Sequence, residues 1–411
     1  MPPMGFSSWL DSLFAIGMAS SFLGAYLSVS LIGLGTTLVL ILGSLSIFRK
    51  EGFSIVKNNP LFIPIMLLSG AIIISIIFAS PYDFEKPLGK LRYLVCFFIF
   101  TAFFVRAPQK LNWIEHWGVF LSVFLAVISV LQHFGVFSPL KWLFGTPQAL
   151  IPGSHDHYLA TGFSFHHNPF AATLNFLSAP LLALGLFSVS IRKRRVFFSS
   201  FVFCLVGIAM SFSRSSWIAW FVSTFVIFLL FNWRLALTFL GIIATGAVGL
   251  FFYYLPIQER LSNAETSASE RFELWRVCLE MFKASPLIGH GFYSFGSRYQ
   301  NYTNWHLKTK NFPVEAHNMY LDLLSGTGLL GSLTFLFFIA TTLKVLVTGY
   351  RNTGFSSHQR AWLLGTLGMF ISFMVGGCFD KLFYMTQTLV PMLFFLSIGI
   401  ALTMQPIPSS K

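Results

Sequence analysis

The sequence predicts an all-α polytopic membrane protein of about 12 transmembrane helices, one membrane domain over 1–411 with a large helical loop inserted at 256–316. Three observations carry that prediction. Of the 411 residues 55% are hydrophobic and only 10% charged, where a soluble domain carries about 25% charged residues. The mean hydropathy is +0.72, and 50 Phe, 10 Trp and 12 Tyr add aromatic surface that water would not accommodate. Charge-free intervals also recur at the roughly 20 residues a helix needs to cross a bilayer. A soluble enzyme, a disordered chain and a disulfide-stapled secreted module are excluded.

Taken in order, nothing charged lies between Asp11 and Arg49, which leaves room for two helices with a turn near Ser28 to Ser30. Further spans read as 60–80, 88–106, 115–135, 169–190, 196–212, 215–232, 235–255, 317–344, 361–379 and 383–404. Lys90 and Arg92 fall in the first turn of the fourth span, and 138–150, with Trp142 and Phe144, reads as interfacial. No cleavable signal peptide is expected, because the first apolar stretch lacks a basic start and runs into another span.

Lysine and arginine mark the cytoplasmic loops of such proteins. With a cytoplasmic N-terminus, the inner side holds 14 of the 27 basic residues, Arg192-Lys193-Arg194-Arg195 among them as a topological anchor. The outer side holds 6 once the seven in 256–316 are set aside, since long loops cross with little regard to charge. The net charge of +13 therefore orients helices and meets membrane lipids, and no nucleic acid is expected as a partner. Cys96, Cys204, Cys278 and Cys378 are scattered, so neither a metal knuckle nor a disulfide framework is indicated. Ionisable residues are nearly absent from span centres, unlike the relays of ion-coupled transporters, and no internal repeat stands out. Eight of the ten histidines lie outside, which places the chemistry at the outer leaflet.

Several residues there invite a role. In the long loop Ser267 and Glu270 form a capping-box pattern and Pro286 a stop signal; Phe272, Trp275, Leu279 and Phe282 between them recur at helical spacing. This is an amphipathic helix. Arg271 precedes Trp275 by four residues, so the indole is placed to hold the guanidinium. The segment Pro286–Gly291 reads as a turn folding the loop back over the bilayer. His317 and Asn318 stand where the next span begins, either as plain caps or as a functional pair. The helix dipole there disfavours imidazolium, which keeps His317 neutral and able to take a proton. Arg214 occupies the serine-rich tip of a hairpin, where orientation rules do not call for a charge; it is either a snorkelling anchor or a phosphate ligand. Lys90 and Arg92 widen the basic patch. His155, His157, His166 and His167 cluster, but no Cys or carboxylate set completes a zinc site, and no metal is expected. Glu259, Glu265, Glu270, Glu273 and Glu280 show no catalytic spacing and read as solvated.

The motifs form an ordered series. A loop from Gly162 to Asn168-Pro169 is followed by Ser213-Arg214-Ser215, then Arg271 and Trp275, Pro286 to Gly291, His317 to Leu321, and Gly326 to Gly331. This series resembles the O-antigen ligase and O-antigen polymerase superfamily of the bacterial inner membrane, over about 85–400. The resemblance implies a GT-C-like fold with a periplasmic active site and a glycosyltransferase without cofactors. It implies a donor glycan linked to undecaprenyl diphosphate and, for a ligase, lipid A–core as acceptor, with metal-independent inverting transfer. Arg214 and Arg271 match arginines that grip the diphosphate, and His317 the histidine that activates the acceptor. Lys90, Arg92, Trp275, Asn318 and Tyr320 are the accompanying substrate-binding candidates. Asp380 matches an acidic position loosely, and the widened loop at 162–169 departs from the pattern. A lipid diphosphate is already a good leaving group, so no nucleotide-binding loop is needed and none is present. The His-Asn-x-Tyr-Leu motif favours ligase over polymerase. A flippase would present a polar path that these spans lack, and a peptidoglycan polymerase a catalytic outer carboxylate in place of the His317 motif.

Overall fold

The computed structural model describes residues 8–47, 50–78, 85–145, 149–151, 154, 156–253, 264–303 and 315–406. Backbone polar groups in lipid must be satisfied within the chain, and helices achieve this segment by segment. The described residues are accordingly helical, apart from loops and one isolated bridge between Leu150 and Tyr158. In chain order the helices are α1 (Ser8–Leu27), α2 (Val29–Ile47), α3 (Lys50–Lys57), α4 (Phe62–Phe78), α5 (Glu85–Arg106), α6 (Leu111–His133), α7 (Pro139–Phe144) and α8 (His167–Phe187). There follow α9 (Ile191–Met210), α10 (Arg214–Phe231), α11 (Trp233–Tyr253), α12 (Ala264–Ala284), α13 (Phe295–Arg298), α14 (Met319–Arg351), α15 (Ser357–Gly377) and α16 (Thr386–Thr403).

Among the described residues eight helices are long and apolar enough to cross a membrane, and Val29–Leu45, Phe62–Phe78 and Trp233–Gly246 are shorter apolar stretches. Helix α9 opens on Arg192 to Arg195 and then turns apolar. Short α7 leaves Trp142 exposed, in keeping with an interfacial segment. Helices α8, α15 and α16 are buried on nearly every face and form the centre of the bundle. Helix α8 packs on α9, α10 and α15, and α16 on α5, while peripheral helices turn Ile16, Ile63 and Ile77 outward. Lipid supplies no hydrophobic drive between helices, so this interior depends on shape.

Helix α12 starts at Ala264, three residues before Ser267, so the expected capping box lies inside the helix instead of at its start. Helix α14 is interrupted. Gly328 adopts φ 61° and ψ −159°, and the turn at 286–291 seats in the gap. The Leu329 and Leu330 N–H groups donate to Pro286 O (2.8 Å) and Leu287 O (3.1 Å); those of His290 and Gly291 donate to Ser325 O (3.0 Å) and Gly326 O (2.7 Å). A Cβ on Gly289 would lie 2.4 Å from the Gly326 carbonyl carbon, and one on Gly328 2.4 Å from that of Leu287. Only glycine permits both the left-handed backbone and this approach. Beyond the reversal that the sequence suggests, the turn plugs a broken membrane helix and satisfies its freed backbone.

Candidate active site

Helices α5, α8, α10, α14 and α16 all begin at one end of the bundle, which points their positive dipole ends at a common face. Arg214 is the first residue of α10, after the turn Ser211–Ser213. Phe212 takes φ 53° there, a conformation costly for a bulky residue. The turn is held from outside. Buried Ser213 donates its Oγ–H to Asn168 Oδ1 at 2.8 Å, and Ser211 Oγ accepts from Ser213 N–H at 3.2 Å. Asn168 belongs to the 162–169 loop, which fully buried Gln132 fixes. Gln132 Oε1 accepts from the Thr161 and Gly162 N–H groups (3.0 and 2.8 Å), and its Nε2 donates to Gly162 O (2.9 Å). The loop that departs from the motif pattern is thus the bracket of the Arg214 hairpin. Sequence reading passed over Gln132, although a glutamine inside an apolar span was a usable signal.

Arg271 projects from α12, whose inner side makes a small core of Leu274, Val277, Cys278 and Met281 with Phe295, Tyr299 and Ala316. No ring contact joins Arg271 to Trp275 among the described residues. The Trp275 indole instead meets Phe272 edge-on and donates its N–H to Ala316 O at 3.1 Å, which pins the chain one residue before His317. Burial lowers the Arg271 pKa, Asp380 works against that, and Arg214 adds to it; the two arginines and Asp380 share one electrostatic neighbourhood.

His317 takes φ 50°, and its Nδ1 lies 4.0 Å from Asp380 Oδ1. That is too long for a hydrogen bond, and the nitrogen makes none. The His317 side chain is 35% exposed and that of Asp380 6%, so the imidazole is the reachable member. Burial pulls the His317 pKa below its ordinary value, Asp380 opposes this and Arg271 assists it. The neutral form expected from the sequence is favoured, by burial first. Asn318 is the N-cap of α14, and its Oδ1 accepts from the Tyr320 and Leu321 N–H groups (3.0 and 3.1 Å). The Tyr320 hydroxyl donates to Met374 O at 2.8 Å and so ties α14 to α15. Both polar groups are engaged in holding the helix start that carries His317.

Two charges the sequence reading left out complete this end. Lys381 pairs with Glu315, and one ligand atom each of Glu315, His317 and Asp380 lies within 4.8 Å of the others. With Lys381 on Glu315, and Arg271 bearing on both His317 and Asp380, cations already balance these carboxylates. Asp380 and Lys381 are the only charged residues between Arg360 and Lys411, a signal available in the sequence.

Lys90 and Arg92 stand at the same end but in a cluster of their own. Lys90 Nζ donates to Thr386 Oγ1 (2.8 Å) and Arg92 Nη2 to Tyr93 Oη (2.8 Å). Among the histidines, His166 caps α8 through its Nδ1 to Asn168 N–H (3.2 Å), and His157 Nδ1 lies 2.7 Å from Asp156 Oδ1. His155, His306 and Glu259 fall outside the described residues. Glu273 and Glu280 pair with Arg276 and Lys283 on the outward side of α12.

Against known proteins, the O-antigen ligase family matches residues 199–336. That stretch contains Arg214, Arg271 and His317 and leaves out Lys90, Arg92 and Asp380. A Haemophilus influenzae (strain Rd) protein described as uncharacterized is 24% identical over 319 residues, 68% of this chain and 77% of its own.

Proposed function

We propose that this member of the O-antigen ligase and polymerase superfamily is a ligase, which moves a completed glycan from undecaprenyl diphosphate to a sugar of lipid A–core. The transfer runs at the periplasmic face of the inner membrane, with 256–316 a periplasmic insertion in a single membrane domain. The observation that carries the reading is that Arg271 and His317 meet at buried Asp380 while Arg214 bears on Arg271, which joins three distant parts of the chain. Arg214 and Arg271 hold the donor diphosphate. The acceptor hydroxyl oxygen attacks the anomeric carbon as its proton passes to His317, and the bond from that carbon to the phosphate oxygen breaks. Negative charge grows on the departing diphosphate, where fixed guanidinium groups stabilise it without reorganising. Asp380 on the Nδ1 side favours the tautomer that leaves Nε2 to accept the proton. One displacement inverts the anomeric centre.

Purified protein supplied with the undecaprenyl-diphosphate glycan and lipid A–core tests this. Capped core should form with and without a chelator. Elongation of the lipid-linked chain in place of capping would make the protein a polymerase, and a deletion strain makes the same distinction. Loss of all capped core fits a ligase, whereas a rung of one repeat fits a polymerase.

A further inference from the structure

Near the end of α5 that faces the site stand two cations, Lys90 and Arg92. Lys90 is half-buried and donates to the Thr386 hydroxyl at 2.8 Å; Arg92 donates to the Tyr93 hydroxyl at 2.8 Å and lies 4.8 Å from the centre of that ring. The two hydroxyls face each other, Tyr93 Oη donating to Thr386 Oγ1 at 3.4 Å, so they form a polar platform with one cation at each side. Hydroxyl groups orient such cations but cannot neutralise them. Among the described residues no carboxylate pairs with Lys90 or Arg92, and the charges that bear on Lys90, Lys381 and Arg92, both repel it. Lys381 is itself taken by Glu315. Thr386 is the first residue of α16, and the N-cap before it, Met385, offers no side-chain bond to the helix start. Cations, hydroxyl donors and an uncapped helix end converge on one spot, which is the chemistry of an anion site.

This cluster differs from the one around His317. Asp380 and Arg214 both bear on Arg271, whereas the charges that bear on Lys90 are Lys381 and Arg92 and neither arginine of the first cluster. Among the described residues, the neighbourhood of Arg271 holds a carboxylate and that of Lys90 does not. We propose that Lys90, Arg92 and Thr386 form a second anion site, which binds a phosphate group carried by a lipid at this face of the membrane. In the transfer reaction, on whose reading this role rests, the second site contacts a phosphate separately from the grip of the two arginines. Its source is either the headgroup of a second phosphorylated lipid or the outer phosphate of the donor itself, and the two arms below separate them.

The full-length protein in nanodiscs of phosphatidylcholine is titrated with phosphatidic acid in one arm and with undecaprenyl diphosphate in the other. Binding is read by native mass spectrometry. Each lost charge-assisted contact should weaken binding about tenfold or more. If the phosphate comes from a second lipid, Lys90→Gln and Arg92→Gln weaken phosphatidic acid and spare undecaprenyl diphosphate, which Arg214→Gln weakens instead. If it is the donor's own, the Lys90 and Arg92 variants weaken undecaprenyl diphosphate as well. Lys90→Arg keeps the charge and should retain most of the affinity, and equal thermal stability of the variants excludes misfolding. Wild-type affinity for both lipids in the Lys90→Gln, Arg92→Gln double variant overturns the proposal. Binding needs no turnover, so a protein that binds both lipids through these residues but never transfers a glycan would overturn the proposed function and leave this site standing.

Discussion

A histidine and a carboxylate meet at each end of this bundle, and the two pairs are built differently. Where α6 and α15 begin, His358 Nε2 lies 2.5 Å from Glu115 Oε1, and the Trp362 indole N–H donates to the same oxygen at 3.1 Å. Where α14 begins, His317 stays 4.0 Å from Asp380 and Arg271 replaces the indole as neighbour. The closed pair ties two helices whose partners lie 243 residues apart in sequence. The open pair leaves His317 Nδ1, the buried nitrogen, without a hydrogen bond, next to positive charge, on a backbone with positive φ. The satisfied pair holds the fold together, whereas the proposed base is held in place without its Nδ1 being satisfied.

The hardest break to that contrast is His317→Ala. Loss of a general base lowers rates by about 10²–10⁴-fold, so transfer should fall to background while the protein inserts at a normal level. Transfer near the wild-type rate would remove His317 from the chemistry. Arg214→Lys and Arg271→Lys come next. If the side chains only snorkel to headgroups, lysine serves as well; if they grip phosphate oxygens in a fork, each variant should lose roughly 10²–10³-fold in turnover. The double variant should lose less than the product of the two, since both act on one group.

Asp380→Asn sharpens the comparison through pH. The base works when neutral, so the rate rises with pH through the His317 pKa, which burial places below the ordinary histidine value. Asp380 favours the imidazolium and holds that pKa up. Its loss should move the acid limb of the pH–rate profile to lower pH, and an acid limb that stays in place or moves upward would deny the coupling. The smallest effect belongs to the other end. Glu115→Gln should cost about 1 kcal/mol of stability, modest because His358 is half exposed. Thermal unfolding should register it while turnover per folded molecule stays level; a large loss of turnover would show that the closed pair reaches the site.

The amino-acid sequence by itself determined the class of fold. Span length and the absence of charge are local properties, so an all-helical membrane fold and the order of its long apolar helices were readable. The helix over 264–284 was legible in its apolar stripe, though its start was not, because Ser267 and Glu270 suit the first turn as well as the cap. What only the tertiary structure decided is how distant segments close on one another. Spacing cannot show that the 286–291 turn fills the gap at Gly328, that Gln132 and Asn168 brace the Arg214 turn, or that Trp275 serves the His317 backbone and not Arg271. Nor can it separate the Lys90 cluster from the arginine cluster, since both read as basic residues at helix ends. Helices form from neighbours in sequence, while a site forms where unrelated helix ends meet. That meeting is set by packing and by backbone hydrogen bonds that carry no sequence period.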